Sequence, residues 1–144
     1  MHKQYSPQES IDAFYNAIIQ KNVERIVASY VQSPATYVFV EGPRYATQGI
    51  DRIAQGWKDF CAAPLSLQSI TWVEQPQCEE HGNIAWIAGL IKLRVEVQGR
   101  SVEQTFRATF VLHKSDEGFW KIRQEHVSAP LPDPYGIGDW LKPA

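Results

Sequence analysis

The polar side chains best placed for chemistry lie in the segment WKIRQEHVSAP, residues 120–130. Successive side chains of a strand point to opposite faces, so alternation places Gln124 and His126 on the same face as Trp120 and Ile122. An imidazole on the apolar side of a sheet can act as a general acid or base near neutral pH. We therefore predict that His126 points inward and is the candidate catalytic residue.

Other side chains are predicted to surround a ligand together with this histidine. A few polar groups that converge in an apolar cavity are typical of small-molecule sites, and a glutamine offers both a donor and an acceptor. The alternative for the histidine and the glutamine is a structural role, each satisfied by one hydrogen bond in the core. Aromatic residues at helical spacing are also frequently core residues only. The predicted ligand-binding residues are Tyr30, Trp57, Phe110, Gln124 and His126.

The sequence lacks the motifs of several other chemistries. Its four histidines and two cysteines fall in separate segments without an H-x₃-H or C-x₂-C pair, so we predict no metal site. It has no G-x₄-G-K phosphate loop and no G-x-S-x-G nucleophile turn, which argues against nucleotide hydrolysis and serine-hydrolase chemistry. We expect no cofactor.

Composition narrows the class of protein and its partners. The chain has 144 residues, of which 44% are hydrophobic, and a net charge of −2, as expected for one globular domain over residues 1–144. Its basic residues are scattered, whereas nucleic-acid binding requires a basic stripe, so we expect no nucleic-acid partner. The sequence contains neither a signal-peptide pattern nor an apolar run of membrane-spanning length. We therefore expect no membrane association and a cytoplasmic location.

Three amphipathic helices are predicted in the first 64 residues. Ser6, Pro7 and Glu9 form the start signal of helix 1, a capping box with proline at the first position. Helix 2 follows Asn22 and ends before the Ser-Pro pair at residues 33–34. After a short β-rich run, ATYVFV, helix 3 extends to Pro64. The apolar stripes of the first and third helices comprise Ile11, Phe14, Tyr15 and Ile18, and Ile50, Ile53, Ala54, Trp57, Phe60 and Cys61.

The remainder of the chain is predicted to form long strands joined by turns, followed by an irregular tail over residues 129–144 rich in proline and glycine. In AWIAGLIKLRVEV, every odd position is apolar or glycine, while Trp86 and Leu90 make part of the other face apolar too. We interpret that second apolar patch as a homodimer interface. We expect the aromatic tail to pack along the body or across a partner. The order of elements indicates an α+β fold, with a strongly bent antiparallel or mixed sheet wrapped around three N-terminal helices.

The helical hairpin, the segment GIDRIAQGW and the closing hairpin FVLHKSDEGFWKIRQEHVSAP resemble the nuclear transport factor 2-like superfamily, and within it the SnoaL-like proteins and the association domain of calmodulin-dependent kinases. The residues that carry the resemblance are Asp116, Gly118, Trp120, Ile122, His126 and Ser128, and it covers about residues 6–129. It implies a conical sheet, a cavity between the sheet and helices 1 and 3, and a dimer formed through the outer face of the sheet.

Two functions remain open at this point, since the superfamily that this chain resembles includes both enzymes and binding modules. The first is binding of a small hydrophobic or carbonyl-bearing molecule, with cofactor-free isomerase, cyclase or dehydratase-type chemistry at His126. The second is a non-catalytic dimerisation or ligand-sensing module. Steroid isomerases of the superfamily use a helix 1 tyrosine and an acid near the end of strand 1, and the matching places here are Phe14 and the stretch VEGP, whose only acid is Glu41. We therefore do not expect steroid isomerase chemistry of that kind.

Overall fold

Three helices precede most of the sheet in the computed structural model, which describes residues 4–141. They are α1 (Pro7–Ile19), α2 (Val23–Ala28) and α3 (Ile50–Ala62). The predicted capping box is present: the Ser6 hydroxyl accepts from the Glu9 amide at 3.0 Å, and the Glu9 carboxylate accepts from the Ser6 amide at 2.9 Å. α3 begins after Gly49, whose φ of 93° favours glycine.

The second helix is shorter than its apolar stripe predicts. It ends at Ala28, and Tyr30 instead forms a parallel bridge with Ile122 of the last strand. The Val31 amide donates to the Ile122 carbonyl at 2.8 Å, and the Ile122 amide donates to the Ser29 carbonyl at 2.9 Å. The position of Tyr30 is therefore fixed by backbone pairing with β7.

Seven strands form one bent sheet in the order β2-β1-β7-β6-β5-β3, with β4 paired to β5. All pairings are antiparallel except that of β1 with β7, which is parallel. This is the α+β architecture that the sequence predicts, with a mixed sheet around the N-terminal helices. The strands are β1 (Tyr37–Phe39), β2 (Thr47–Gln48), β3 (Leu65–Trp72), β4 (Gln77–His81), β5 (Ile84–Val97), β6 (Arg100–Lys114) and β7 (Trp120–Ser128).

The core lies between α1, α3 and the inner face of the sheet. The inner positions of β5, such as Ile87 and Ile91, are buried as their alternation predicts, whereas Leu90 on the outer face is exposed. Apolar burial of this kind contributes about 25 cal/mol per Å² removed from water and is the main stabilising term. The largest fully buried side chains include Ile11, Phe14, Ile26, Tyr30, Phe110 and Leu112.

A β-bulge interrupts the last strand and changes which residues face the core. Leu112 of β6 pairs with Ile122, but the next residue back, Val111, pairs with Gln124, so Arg123 is an extra residue without a partner in β6. The inward positions of β7 are therefore even-numbered before the bulge and odd-numbered after it. Glu125 and Val127 are buried, while His126 is exposed.

The described part of the tail, residues 129–141, contains turns and bends but no helix or strand. Its large apolar side chains, among them Leu131, Tyr135 and Trp140, are mainly exposed. They do not pack along the body, so that part of our expectation is wrong, and packing across a partner stays a prediction. Residues 142–144 of the predicted tail lie outside the described residues. No helix within residues 4–141 has both the length and the apolar character needed to span a membrane.

Candidate functional site

A chain of hydrogen bonds links three buried or half-buried side chains at the centre of the fold. The Trp57 indole Nε1 on α3 donates to the Tyr30 hydroxyl at 3.0 Å, and that hydroxyl donates to Glu125 Oε1 at 2.5 Å. Tyr30 is brought there by its bridge to Ile122, and Glu125 by the bulge at Arg123. Tyr30 and Trp57, two of the predicted ligand-binding residues, thus form a hydrogen-bond chain that ends at the carboxyl group of Glu125. The sequence analysis did not predict a role for Glu125.

Glu125 is the only buried ionisable carboxyl group among residues 4–141, with 3% of its surface exposed. Burial raises its pKa to about 8, the hydrogen bond from Tyr30 lowers it, and the nearby carboxylate of Glu41 raises it. A carboxylic acid with a pKa near neutrality can both accept and release a proton under physiological conditions. The chemistry that the sequence suggested for an imidazole is therefore available to this side chain.

Tyr15 on α1 carries a buried hydroxyl that has no hydrogen-bond partner, and no other side chain of the described residues has such an atom. Leaving a buried hydroxyl unpaired costs about 1–3 kcal/mol. Burial raises its pKa well above the ordinary value, and the carboxylates of Glu125, Glu41 and Asp12 raise it further. The hydroxyl therefore lies within electrostatic range of Glu125 and is free to donate to an incoming acceptor.

Glu41 follows β1 and lies at the surface, where it still interacts electrostatically with both Tyr15 and Glu125. Partial burial raises its pKa, and a backbone hydrogen bond lowers it. It stands near the end of strand 1, where the resemblance to steroid isomerases implies an acid. We call Tyr15, Tyr30, Glu41, Trp57 and Glu125 the interior site.

Aromatic rings pack against the residues of the interior site. Phe14 packs edge-on against Tyr30 at 5.6 Å, Trp57 at 5.9 Å and Phe110 at 6.2 Å between ring centroids. Tyr15 packs against Phe110 at 6.2 Å. Phe110 therefore packs against the interior site, and its role in ligand binding stays a prediction.

The predicted orientation of His126 and Gln124 is wrong. Both lie beyond the bulge on even-numbered positions and therefore face outward. His126 is exposed and packs edge-on against Phe39 at 5.2 Å, and the Gln124 side-chain amide donates to the Glu125 carbonyl at 2.9 Å. Neither side chain reaches the interior site, so the inward geometry on which the catalytic role of His126 depended is absent.

The sequence does contain a signal for the bulge. Apolar residues occupy even positions at Trp120 and Ile122 but an odd position at Val127, and a regular strand cannot bury all three on one face. Reading inward from Val127 would have placed Glu125 in the core. No sequence pattern indicates that the Tyr15 hydroxyl lacks a hydrogen-bond partner, because the absence of a partner depends on side-chain packing.

Two cavities lie beside the helices, and the larger of the two reaches the interior site at Tyr30. An open groove of about 800 Å³ runs beside α2, where Val27 and Val31 meet Lys58 and Lys121, and a cleft of about 290 Å³ lies near Arg44 and Arg52. Of the five predicted ligand-binding residues, Tyr30 alone lines either of these two cavities. Within residues 4–141, no group of three or more His, Cys, Asp or Glu side chains could hold a metal ion.

Comparison with known proteins identifies the family. The chain is similar in structure to a nuclear transport factor 2-like superfamily protein from Salmonella enterica subsp. enterica serovar Typhimurium str. LT2, with a TM-score of 0.73 and 20% identity over 91% of this chain and 93% of that one. It is also similar to a ketosteroid isomerase-like protein from Erwinia carotovora atroseptica, with a TM-score of 0.69 and 15% identity over 85% and 94% of the two chains.

A third similar structure is an NTF2-like protein of unknown function from Pseudomonas putida KT2440, with a TM-score of 0.71 and 18% identity over 94% of this chain and 93% of that one. Identities this low show a common fold and nothing more specific. No curated protein matches the sequence. The model of the SnoaL-like domain, however, matches residues 8–132, which span α1 to the beginning of the tail, and the chain therefore belongs to the SnoaL-like domain family.

Proposed function

We propose that this chain binds a small, mainly apolar molecule bearing a carbonyl group at the interior site, and that Glu125 exchanges a proton with it. The observation that carries the proposal is the buried Tyr15 hydroxyl without a partner, which interacts electrostatically with the buried carboxyl group of Glu125. A carbonyl oxygen would accept from that hydroxyl and remove the cost of leaving it unpaired. Glu125 replaces His126 as the acid–base residue.

The surrounding residues support these two roles, hydrogen-bond donation by Tyr15 and proton exchange by Glu125. Tyr30 and Trp57 fix the orientation of the Glu125 carboxyl through the hydrogen bonds described above, and only Oε1 is used, which leaves Oε2 for a ligand. Phe14 and Phe110 supply apolar walls. A hydroxyl donor to the carbonyl oxygen stabilises the negative charge that develops when a proton leaves the neighbouring carbon.

A ligand must displace side chains to enter, because the Tyr15 hydroxyl is sealed by its neighbours. The line of contacting rings ends in half-buried residues, with Trp72 at 6.1 Å from Tyr15 on one side and Phe60 at 5.4 Å from Trp57 on the other. Movement of either terminal ring would open the interior to solvent. Rearrangement of side chains on binding is common even where the backbone stays fixed.

The test uses 2-indanone, a compact apolar ketone. NMR would follow the Trp57 indole N–H signal in H₂O for binding, and the loss of the ketone's α-proton signal in D₂O for proton exchange. We expect the wild-type protein to shift the indole signal and accelerate exchange, and Glu125→Gln to bind without accelerating exchange. Glu96→Gln, which changes an exposed carboxylate of β5, is the matched control. Exchange at equal rates with wild type and Glu125→Gln would refute the assignment of Glu125.

We also propose that the chain forms a homodimer through the outer face of the sheet, around Trp86 and Leu90. The pairing register brings Trp86 beside Val111, and the aromatic pair Phe39 and His126 lies on the same face. Leu90 remains 39% exposed in the single chain. Light scattering should show a dimer for the wild type and a monomer for Trp86→Glu, with Tyr45→Glu, an exposed aromatic in a loop, as the control. A Trp86→Glu protein that stays dimeric contradicts this interface.

A further inference from the structure

The open groove of about 800 Å³ beside α2, which we call the α2 groove, has a mainly apolar lining. Val23 and Val27 of α2, Val31 beyond its end and Ala54 of α3 supply the apolar side chains, and all four are only half-buried. Small-molecule sites have volumes of roughly 300–1,000 Å³ and apolar walls. A molecule with an apolar body would therefore fit the α2 groove and remove this surface from water.

Three lysines from three different elements line the same groove. They are Lys58 of α3, Lys114 of β6 and Lys121 of β7. In the part of the chain that the structure describes, none of the three forms an ion pair. Glu24 is the one carboxylate among the lining residues, so lysines outnumber carboxylates three to one. The groove therefore combines an apolar surface with an excess of positive charge.

Contacts within the chain hold two of these lysines without neutralising them. Lys121 Nζ donates to the carbonyl of Ala28, which also lines the groove, at 2.7 Å, and an ammonium group has two more donors. Lys114 Nζ lies 5.6 Å from the centroid of the Trp120 ring, a contact that leaves its charge in place. Partial burial lowers the pKa of Lys121, and Glu117 raises it. An anion in the groove would supply the counter-charge that the chain leaves out.

We propose that the α2 groove binds an amphipathic anion, a small molecule with an apolar body and one acidic group. The apolar body would cover the valines and Ala54, and the three lysines would attract the acidic group. A neutral molecule would gain nothing from the lysines, and a cation would be repelled by them. Of the residues of the interior site, Tyr30 alone lines the groove, so this second site goes beyond the proposed function and does not depend on it.

Four probes with the same eight-carbon chain and different charge test the inference: octanoate, octyl phosphate, 1-octanol and octylammonium. The methyl NMR signals of Val27 and Val31, which line the groove, would report binding. We expect both anions to bind at least about tenfold more tightly than 1-octanol, and octylammonium to bind most weakly. Added salt should weaken binding of the anions and not that of 1-octanol. The stronger of the two anions identifies the acidic group as a carboxylate or a phosphate.

One variant removes charge from the groove, and a matched variant removes the same charge elsewhere. The double variant Lys58→Gln, Lys114→Gln should weaken octanoate binding several-fold and leave 1-octanol binding unchanged. The control Arg44→Gln, Arg100→Gln removes two exposed positive charges outside the groove and should change neither. Ala54→Leu should weaken binding of both probes, because the larger side chain occupies the apolar part of the groove.

Several results would overturn the inference. They are affinities that do not depend on probe charge, octanoate binding that is unchanged in the double lysine variant or in Ala54→Leu, and Val27 signals that shift with protein concentration alone. The last result would assign the groove to a second copy of the chain. The double lysine variant should bind 2-indanone as the wild type does, because neither lysine belongs to the interior site. Loss of octanoate binding and loss of 2-indanone binding are therefore separate outcomes, and each refutes only its own proposal.

Discussion

Replacing Glu125 by glutamine should make the protein more stable, and by an amount that increases with pH. Burial raises the pKa of Glu125 from an ordinary value of 4.5 to about 8, so between these values the folded chain keeps a proton that the unfolded chain loses. Stability falls with pH wherever the native state binds more protons. The stability that the protonated carboxyl retains below pH 4.5 is thus lost progressively as pH rises towards 8.

The size of the change in stability follows from the difference between the two pKa values of Glu125. At 1.36 kcal/mol per pKa unit, the interval from 4.5 to about 8 corresponds to a destabilisation of about 5 kcal/mol when Glu125 is fully ionised. Glutamine has the same shape, can accept from the Tyr30 hydroxyl and does not ionise. The difference in unfolding free energy between Glu125→Gln and wild type should therefore grow by about 3–4 kcal/mol between pH 5 and pH 8.

Urea unfolding at fixed protein concentration, repeated at intervals from pH 5 to pH 8, measures this difference. Subtracting the wild-type unfolding free energy from that of Glu125→Gln at each pH removes the contribution of groups that titrate alike in both proteins. Glu96→Gln, at an exposed carboxylate, should differ from wild type by a small amount that does not change with pH. A constant difference between Glu125→Gln and wild type would show that Glu125 ionises normally in the folded chain, and the acid–base role would lose its basis.

Three further substitutions test separate parts of the structure. Tyr15→Phe should stabilise the folded chain by up to about 1 kcal/mol in urea unfolding, because it removes a buried hydroxyl without a partner; a loss of stability would reveal a hydrogen bond. Tyr30→Phe should cost about 2 kcal/mol, because it leaves Glu125 Oε1 and Trp57 Nε1 without their shared partner; a neutral effect would contradict the hydrogen-bond chain. His126→Ala should leave 2-indanone binding unchanged, as NMR titration would show, because that side chain is exposed on the outer face; weaker binding would contradict its placement.

The elements of the fold were predictable because local signals and apolar periodicity agreed. The capping box at Ser6, the stripe of α1 and the alternation of β5 each specify their element independently of the rest of the chain. The early end of α2 was not predictable, because Tyr30 continues the helical stripe and is withdrawn from it by pairing with Ile122. That pairing joins segments about ninety residues apart, and such contacts override local preference.

The candidate site was predicted in part. Trp57 and Phe110 lie on a helix and a strand that follow their predicted pattern, and Tyr30 is buried although α2 ends before it; the structure brings all three to the interior. Gln124 and His126 lie beyond Arg123, where one extra residue exchanges the two faces of the strand. The error is therefore a displacement by one residue along β7: the inward polar side chain predicted at residue 126 is at residue 125.

The cost of burying Glu125 is itself an argument for function. A glutamine at this position would make the same hydrogen bond with Tyr30 and would avoid the ionisation cost, so packing and hydrogen bonding do not require a carboxyl group. The unpaired hydroxyl of Tyr15 adds a second cost that phenylalanine would avoid. Both unfavourable groups lie within electrostatic range of each other, and both would be satisfied by one polar ligand group placed between them. Two energetically unfavourable polar groups at one point of a mainly apolar core are typical of a binding or catalytic site.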